Sequence, residues 1–185
     1  MRQEIRIAGF GGQGVVLAGY VLGKALALYT RHEAVMTQSH GPEARGGASS
    51  ADLVVSEEAI AYPFVQQPDI LVALSQEAYA KFRPSAKPEA LILIDKDLVK
   101  SQEGDRVYAI PATRLAEDLG RRIVANVVML GYFTVVTKII DPGSMRKALE
   151  TSVKAKTLPI NLSAFSAGLE YAIDLENKVM LGRTS

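Results

Sequence analysis

The strongest constraint in the sequence is a run of glycines, Gly9-Phe10-Gly11-Gly12-Gln13-Gly14, set between two segments of different hydrophobic period. Before it, Gln3 to Ala8 alternates polar and apolar residues around Ile5 and Ile7, the period of a strand. After it, Val15, Ala18, Leu22, Leu26 and Tyr29 share one helical face, and Lys24 is the only charge between Val15 and Tyr29. Strand, glycine turn and helix in that order open an α/β fold. In that setting the glycines let a phosphate approach the helix's unpaired N–H groups and positive end. The same run also serves as a close-packed turn with nothing bound.

The rest of the chain repeats the alternation. Short strands are expected at Glu33 to Gln38, Ala51 to Val55, Ile70 to Leu74, Ala90 to Ile94 and Val107 to Ile110. The runs DLVV, DILVAL and ALILI lack clean alternation, as in strands covered on both faces. Helices are expected around Gln76 to Arg83, Arg114 to Arg122, Asn126 to Ile140, Ser144 to Ala155 and Leu162 to Asn177, with Asp141-Pro142 as N-cap and first helical residue. The fold class is therefore α/β: a doubly wound, mostly parallel, Rossmann-like sheet with a helical C-terminal third. Two helices, Val15 to Tyr29 and Asn126 to Ile140, show almost no polar face, so each needs cover from its own chain or from another subunit.

Composition narrows the function. A chain of 185 residues, 48% hydrophobic and 22% charged, suits one globular domain spanning 1–185. Lys plus Arg total 21 against 20 Asp plus Glu, a net charge of +1, which disfavours a nucleic-acid partner. There is no cysteine, so this chain ligates no iron–sulfur cluster through thiolates and offers no thiolate nucleophile. His32 and His40 are the only histidines, too few for a multi-histidine metal site. The N-terminus lacks the pattern of a secretory signal, and the apolar stretch Ile123 to Ile140 carries Asn126, Thr134, Thr137 and Lys138. The expectation is a soluble, cytoplasmic protein with no membrane span.

An NAD-binding Rossmann domain would place an acidic side chain about 20 residues on, at the end of the second strand. Glu33 falls at that strand's start, and its far end is Gln38-Ser39-His40, with no carboxylate before Glu43. The anion-binding half of the motif is present and the ribose-reading half is not.

The segment Thr37 to Ser50, TQSHGPEARGGASS, is the most unusual in the chain. It follows the second strand, which is expected to neighbour the first, so it should open at the same carboxyl edge as the glycine loop. Ser39, His40 and Arg45 supply donors, while Gly41, Gly46 and Gly47 let the backbone approach a ligand. Two such loops across one cleft suit a polyphosphate.

GFGGQGVVLAG followed by TQSHGPEARGGASSADLVVS resembles the γ subunit of 2-oxoacid:ferredoxin oxidoreductases, the 2-oxoglutarate and branched-chain types most of all. AYPFVQQPDILVALSQEAYAKF, IPATRLAEDLG and NVVMLGYF resemble the family's later blocks, so the likeness covers nearly the whole chain. The resemblance implies a cytoplasmic hetero-oligomer that decarboxylates a 2-oxoacid on thiamine diphosphate, passes electrons through iron–sulfur clusters to ferredoxin, and transfers the acyl group to coenzyme A. It implies partner α, β and ferredoxin-like δ subunits that carry thiamine diphosphate, Mg and the clusters. Glu103-Gly104-Asp105-Arg106 is not the GDG motif of a thiamine diphosphate site. It implies coenzyme A contacts at Gly11, Gly12, Gln13 and Gly14 on the first loop and at Ser39, His40, Arg45 and Gly46 on the second, with no catalytic residue and no metal ligand on this chain. Lysines that often populate the second loop of pyruvate-type members are absent, leaving Arg45 as its one fixed cation. The competing readings are a stand-alone NAD-dependent dehydrogenase domain and a purely architectural subunit.

Overall fold

The computed structural model describes residues 2–39 and 47–182. Strand β1 (Arg2–Phe10) is followed by helix α1 (Val15–Tyr29), strands β2 (Glu33–Ser39), β3 (Ala48–Ser56) and β4 (Ile70–Ala73), and helix α2 (Gln76–Phe82). Then come β5 (Leu91–Asp95), β6 (Val107–Ile110), α3 (Ala112–Asp118), α4 (Ala125–Thr137), α5 (Pro142–Glu150) and α6 (Leu158–Gly182). Short 3-10 turns lie at Arg83–Ser85, Arg122–Val124 and Ala155–Thr157.

The six strands form one sheet in the order β2-β3-β1-β4-β5-β6, mostly parallel, with β3 antiparallel to both its neighbours. This corrects one expectation: β1 and β2 are not adjacent, because β3 lies between them. The reason is burial. Strand β3 is nine residues of ASSADLVVS, buried along nearly its whole length, and so takes an inner position, whereas β2 is half-buried to exposed and becomes an edge. The registers Phe10↔Ala48 and Ser39↔Ser50 nevertheless bring the end of β2, the start of β3 and the end of β1 to one edge of the sheet.

Side chains on β1 alternate between two layers. Ile5 and Ile7 join Leu22, Leu26, Ala51 and Leu53 beneath α1, while Ala8 meets Ala48 and Ala78 beneath α2. Arg6 points to the α2 side, where it pairs with Asp52 through Nε and an Nη (2.8 and 2.6 Å) and lies over the Phe82 ring. Gly19 lets α1 settle on β3, since a Cβ there would stand 2.5 Å from that of Ala51.

Helix α4 is buried from Asn126 to Thr134 inside the chain's own helical layer. Its main cover is α6, and the two helices touch backbone to backbone. A Cβ on Gly131 would fall within the carbonyl oxygen of Phe165, and one on Gly168 within that of Val128. Its polar residues are satisfied locally: Thr134 and Thr137 donate to the carbonyls of Leu130 and Phe133, each at 2.8 Å. The cover of α4 therefore comes from α6 rather than from a second subunit. Helix α1 differs, leaving Tyr20 and Leu28 exposed on its outer side. Among the described residues no helix is long and apolar enough to cross a membrane.

Candidate binding site at the glycine loop

The glycine loop is folded around the side chain of Gln13. Its Nε2 donates to the carbonyl of Leu74 (2.9 Å) and its Oε1 accepts from the N–H of Phe10 (2.6 Å). Its own N–H donates to the Phe10 carbonyl (3.1 Å). These bonds tie the loop to the end of β4, the strand beside β1. Gly9 stays bare to permit them, since a Cβ there would stand 2.6 Å from the Gln13 Oε1.

Gly14 precedes α1 in the left-handed region, with φ 71° and ψ 25°. A Cβ on it would meet Cγ of Asn126 at 2.8 Å. Asn126, only 2% exposed, donates its Nδ2 to the Gly14 carbonyl at 2.9 Å. The same carbonyl accepts from the N–H of Ala18 at 3.0 Å, the first turn of α1.

Gly11 and Gly12 are different. Both are exposed, and a Cβ on either would meet nothing within 4 Å. Gly12, at φ 92°, still favours glycine on backbone grounds; Gly11 has no such demand. Neither N–H finds an acceptor among the described residues. The loop thus presents bare, unpaired backbone at the head of α1, a helix of 15 residues with no acidic side chain in its first turn.

Two clefts of about 310 Å³ flank this backbone. One lies at the carboxyl ends of β1, β4 and β5, lined by Gly12, Gln13, Leu74, Asp95, Thr113 and Arg122, where a doubly wound sheet offers its crevice. Asp95 is buried there, and its Oδ2 accepts from the N–H and hydroxyl of Thr113 (2.8 and 2.6 Å). The carboxylate thereby fixes the start of α3 against β5. The second cleft lies on the helical side and includes Gly14, Arg121, Asn126, Lys154 and Asn161. Ile123, in the 3-10 turn after α3, reaches both.

The expected site residues divide accordingly. Gly11, Gly12, Gln13 and Gly14 sit together on the loop, with Gln13 holding it from within and Gly14 shaped by Asn126. Ser39 ends β2 opposite Ser50, which itself pairs with Ala8, so it lies two strand spacings, about 10 Å, across the sheet from β1. His40, Arg45 and Gly46 lie outside the described residues. Residues not singled out for the site from the sequence are Asn126, Arg121, Arg122, Lys154, Asp95 and Thr113. A lone amide at the start of an apolar helix was a readable signal for Asn126, because a buried amide needs a partner. The adjacent pair Arg121-Arg122 directly before that helix was another. Among the described residues no cluster of His, Asp or Glu could hold a metal ion.

The fold and loop define an α/β domain whose sheet edge presents unpaired backbone N–H groups at the head of a helix. The family profile described as pyruvate ferredoxin/flavodoxin oxidoreductase matches residues 4–171. The chain belongs to that family, as a γ-type subunit of the 2-oxoacid:ferredoxin oxidoreductases. The 2-oxoglutarate synthase subunit KorC of Methanocaldococcus jannaschii is 52% identical over 180 residues, covering 95% of this chain and 96% of that one. The KorC subunit of Methanothermobacter marburgensis is 47% identical over 183 residues, covering 94% and 98%. The γ subunit of a keto/oxoacid ferredoxin oxidoreductase from Geobacter sulfurreducens superposes with a TM-score of 0.85 at 37% identity, covering 94% of this chain and 98% of that one. The 2-oxoglutarate:ferredoxin oxidoreductase of Magnetococcus marinus, solved with 2-oxoglutarate, coenzyme A and succinyl-CoA bound, shares the fold. Its TM-score is 0.83 at 24% identity, over 94% of this chain and 31% of that one.

Proposed function

We propose that this chain is the coenzyme A-positioning γ subunit of a 2-oxoglutarate:ferredoxin oxidoreductase. The observation that carries the reading is the bare backbone of Gly11 and Gly12, whose N–H groups have no acceptor among the described residues and stand at the positive end of α1. The oxoacid follows the KorC relatives, which are named for 2-oxoglutarate.

When bound, coenzyme A supplies the thiol that accepts the acyl group. The chain's own part is to bind and orient. Gln13 clamps the loop to β4, Asn126 fixes the Gly14 carbonyl, and the N–H groups of Gly11 and Gly12 are left to donate to a diphosphate. Ser39, His40, Arg45 and Gly46 would add contacts from the connection between β2 and β3, with Arg45 giving the charge-assisted one. With no cysteine here, thiamine diphosphate, Mg and the clusters belong in this reading to α, β and ferredoxin-like δ partners, and ferredoxin meets the complex through them.

Calorimetric titration of the assembled complex with coenzyme A and with NAD tests this. Coenzyme A should bind, and Gly11→Ala, whose methyl projects into the open space where a ligand must approach the backbone, should weaken it roughly tenfold without changing the oxoacid KM. Tight NAD binding instead would favour a dehydrogenase, and unchanged coenzyme A affinity in the variant would leave the loop an architectural turn.

A further inference from the structure

The sheet ends on two edge strands, and they are protected unequally. At one end β6 is only four residues long, and a short edge offers little to another chain. At the other, β2 runs for seven residues, about 24 Å, in unbroken register with β3 from Glu33↔Ser56 to Ser39↔Ser50. It holds no Lys, Arg or Pro, and its single charge, Glu33, is its first residue. Its outer side pairs with no other strand among the described residues. Such an edge lacks the bulge, proline and central charge that keep strands from joining other chains.

The same face continues onto α1. Gly19 seats that helix over the β2–β3 pair, where a Cβ would lie 2.5 Å from the Cβ of Ala51 and 3.3 Å from Cε of Met36. Beside the edge runs an open groove of about 610 Å³, lined by Val16, Leu17, Tyr20, Met36, Thr37 and Gln38, none of them charged. Tyr20 is 51% exposed. Lys24, the one charge on α1, donates to the carbonyl of Thr151 at 3.1 Å.

We infer that this face binds a second copy of the chain, β2 against β2, antiparallel about a two-fold axis at Met36. The face is its own complement in charge. That register sets Glu33 opposite Ser39, Ala34 opposite Gln38 and Val35 opposite Thr37, so the one carboxylate never meets its own copy. A two-fold axis normal to the sheet also keeps both α1 helices on one side of it. With strands about 4.8 Å apart, the two helices stand about 10–14 Å from each other, little more than the roughly 8–10 Å of directly packed helices. The two Tyr20 rings fill the difference. Both glycine-loop edges then point in opposite directions and stay open. The pairing needs nothing from the coenzyme A reading.

The chain has no cysteine, so the register can be read by cross-linking. In Met36→Cys the two thiols face each other across the axis with Cα atoms about 4.5–5.5 Å apart, within disulfide reach. In Gln38→Cys the two positions lie four residues out of register, about 14 Å apart. Copper-phenanthroline oxidation of the full chain should give a covalent dimer for the first variant and none for the second. Sedimentation of the unsubstituted chain should show twice its 19.9 kDa. Tyr20→Glu sets like charges across the axis and should raise the dimer Kd at least about a hundredfold while circular dichroism stays unchanged. Val179→Glu, at an exposed residue of α6 in the groove beside β6, should leave the dimer intact. A monomer at every concentration, cross-linking through position 38 rather than 36, or a dimer insensitive to Tyr20→Glu would each overturn the pairing. A monomeric chain whose Tyr20→Glu variant drops out of the assembled complex would give the edge to a different subunit, and the self-pairing falls.

Discussion

Asn126 and Gly14 lie 112 residues apart, and the side-chain amide of the first donates to the backbone carbonyl of the second at 2.9 Å. The bond joins the start of α4 to the residue that turns the glycine loop into α1, so the helical layer and the loop are one mechanical unit. Asn126→Ala should destabilise the chain by about 1–3 kcal/mol, because it removes a buried hydrogen bond. Asn126→Asp should cost more, since it sets a carboxylate oxygen against a carbonyl oxygen. Urea titration of the two variants checks the order, and Ala proving worse than Asp would contradict this role.

Gly14 and Gly11 should behave oppositely on substitution by alanine. Gly14→Ala meets both a left-handed backbone and the Asn126 amide, and should cost at least about 1–2 kcal/mol. Gly11→Ala meets open space and should leave the melting temperature within about a degree or two, matching a change within about 0.5 kcal/mol. Thermal melts of the two variants, side by side, read the difference.

Gly131→Ala should be among the most damaging single changes. The added methyl lands on the backbone carbonyl of Phe165, which cannot rotate away, so α4 and α6 must separate. Overpacking of this kind costs about 1–3 kcal/mol or more. Chemical denaturation should show a lower midpoint, and an unchanged midpoint would mean that the helices do not touch there.

The N-cap of α5 gives a pH signature. The Ser144 side chain, and after it the Ser144 N–H that donates to Asp141 at 2.9 Å, hold the Asp141 carboxyl below its ordinary value of 3.8. A lowered folded-state pKa adds stability above the unfolded pKa and loses it as the pH falls through the folded one. Asp141→Ala should therefore cost about 0.5–2 kcal/mol at neutral pH, and the gap to wild type should close progressively below about pH 4. A gap that persists at pH 2 would show that the carboxylate is not the cap.

Elements whose signal is local were legible from the sequence. Val15–Tyr29 and Val107–Ile110 stand where periodicity puts them, and Asp141-Pro142 opens α5 as the cap pattern requires. Ends set by tertiary contact were not. Helix α6 runs from Leu158 to Gly182, well beyond the expected Leu162 to Asn177. The position of β3 was invisible for a related reason: strand order depends on which neighbour buries a face, and a run such as ASSADLVVS reads the same in either direction. At the candidate site the glycines announced themselves, but the partners that fix their backbone are distant in sequence: Leu74 lies 61 positions from Gln13 and Asn126 lies 112 from Gly14. Gln13 was readable as a ligand contact, yet its side chain is occupied in closing its own turn.

The reversed strand has a consequence for variation among chains of this architecture. Both ends of the 40–46 connection are pinned by ladder pairs, Ser39 to Ser50 on one side and Ala48 to Phe10 on the other. The return limb is thus bonded directly to the strand that carries the glycine loop. A connection anchored in this way is a cassette: its length and charge can be rewritten while the register of β1, and the loop that β1 supports, stays fixed. Residues of that connection can then be exchanged without rebuilding the scaffold on either side of it.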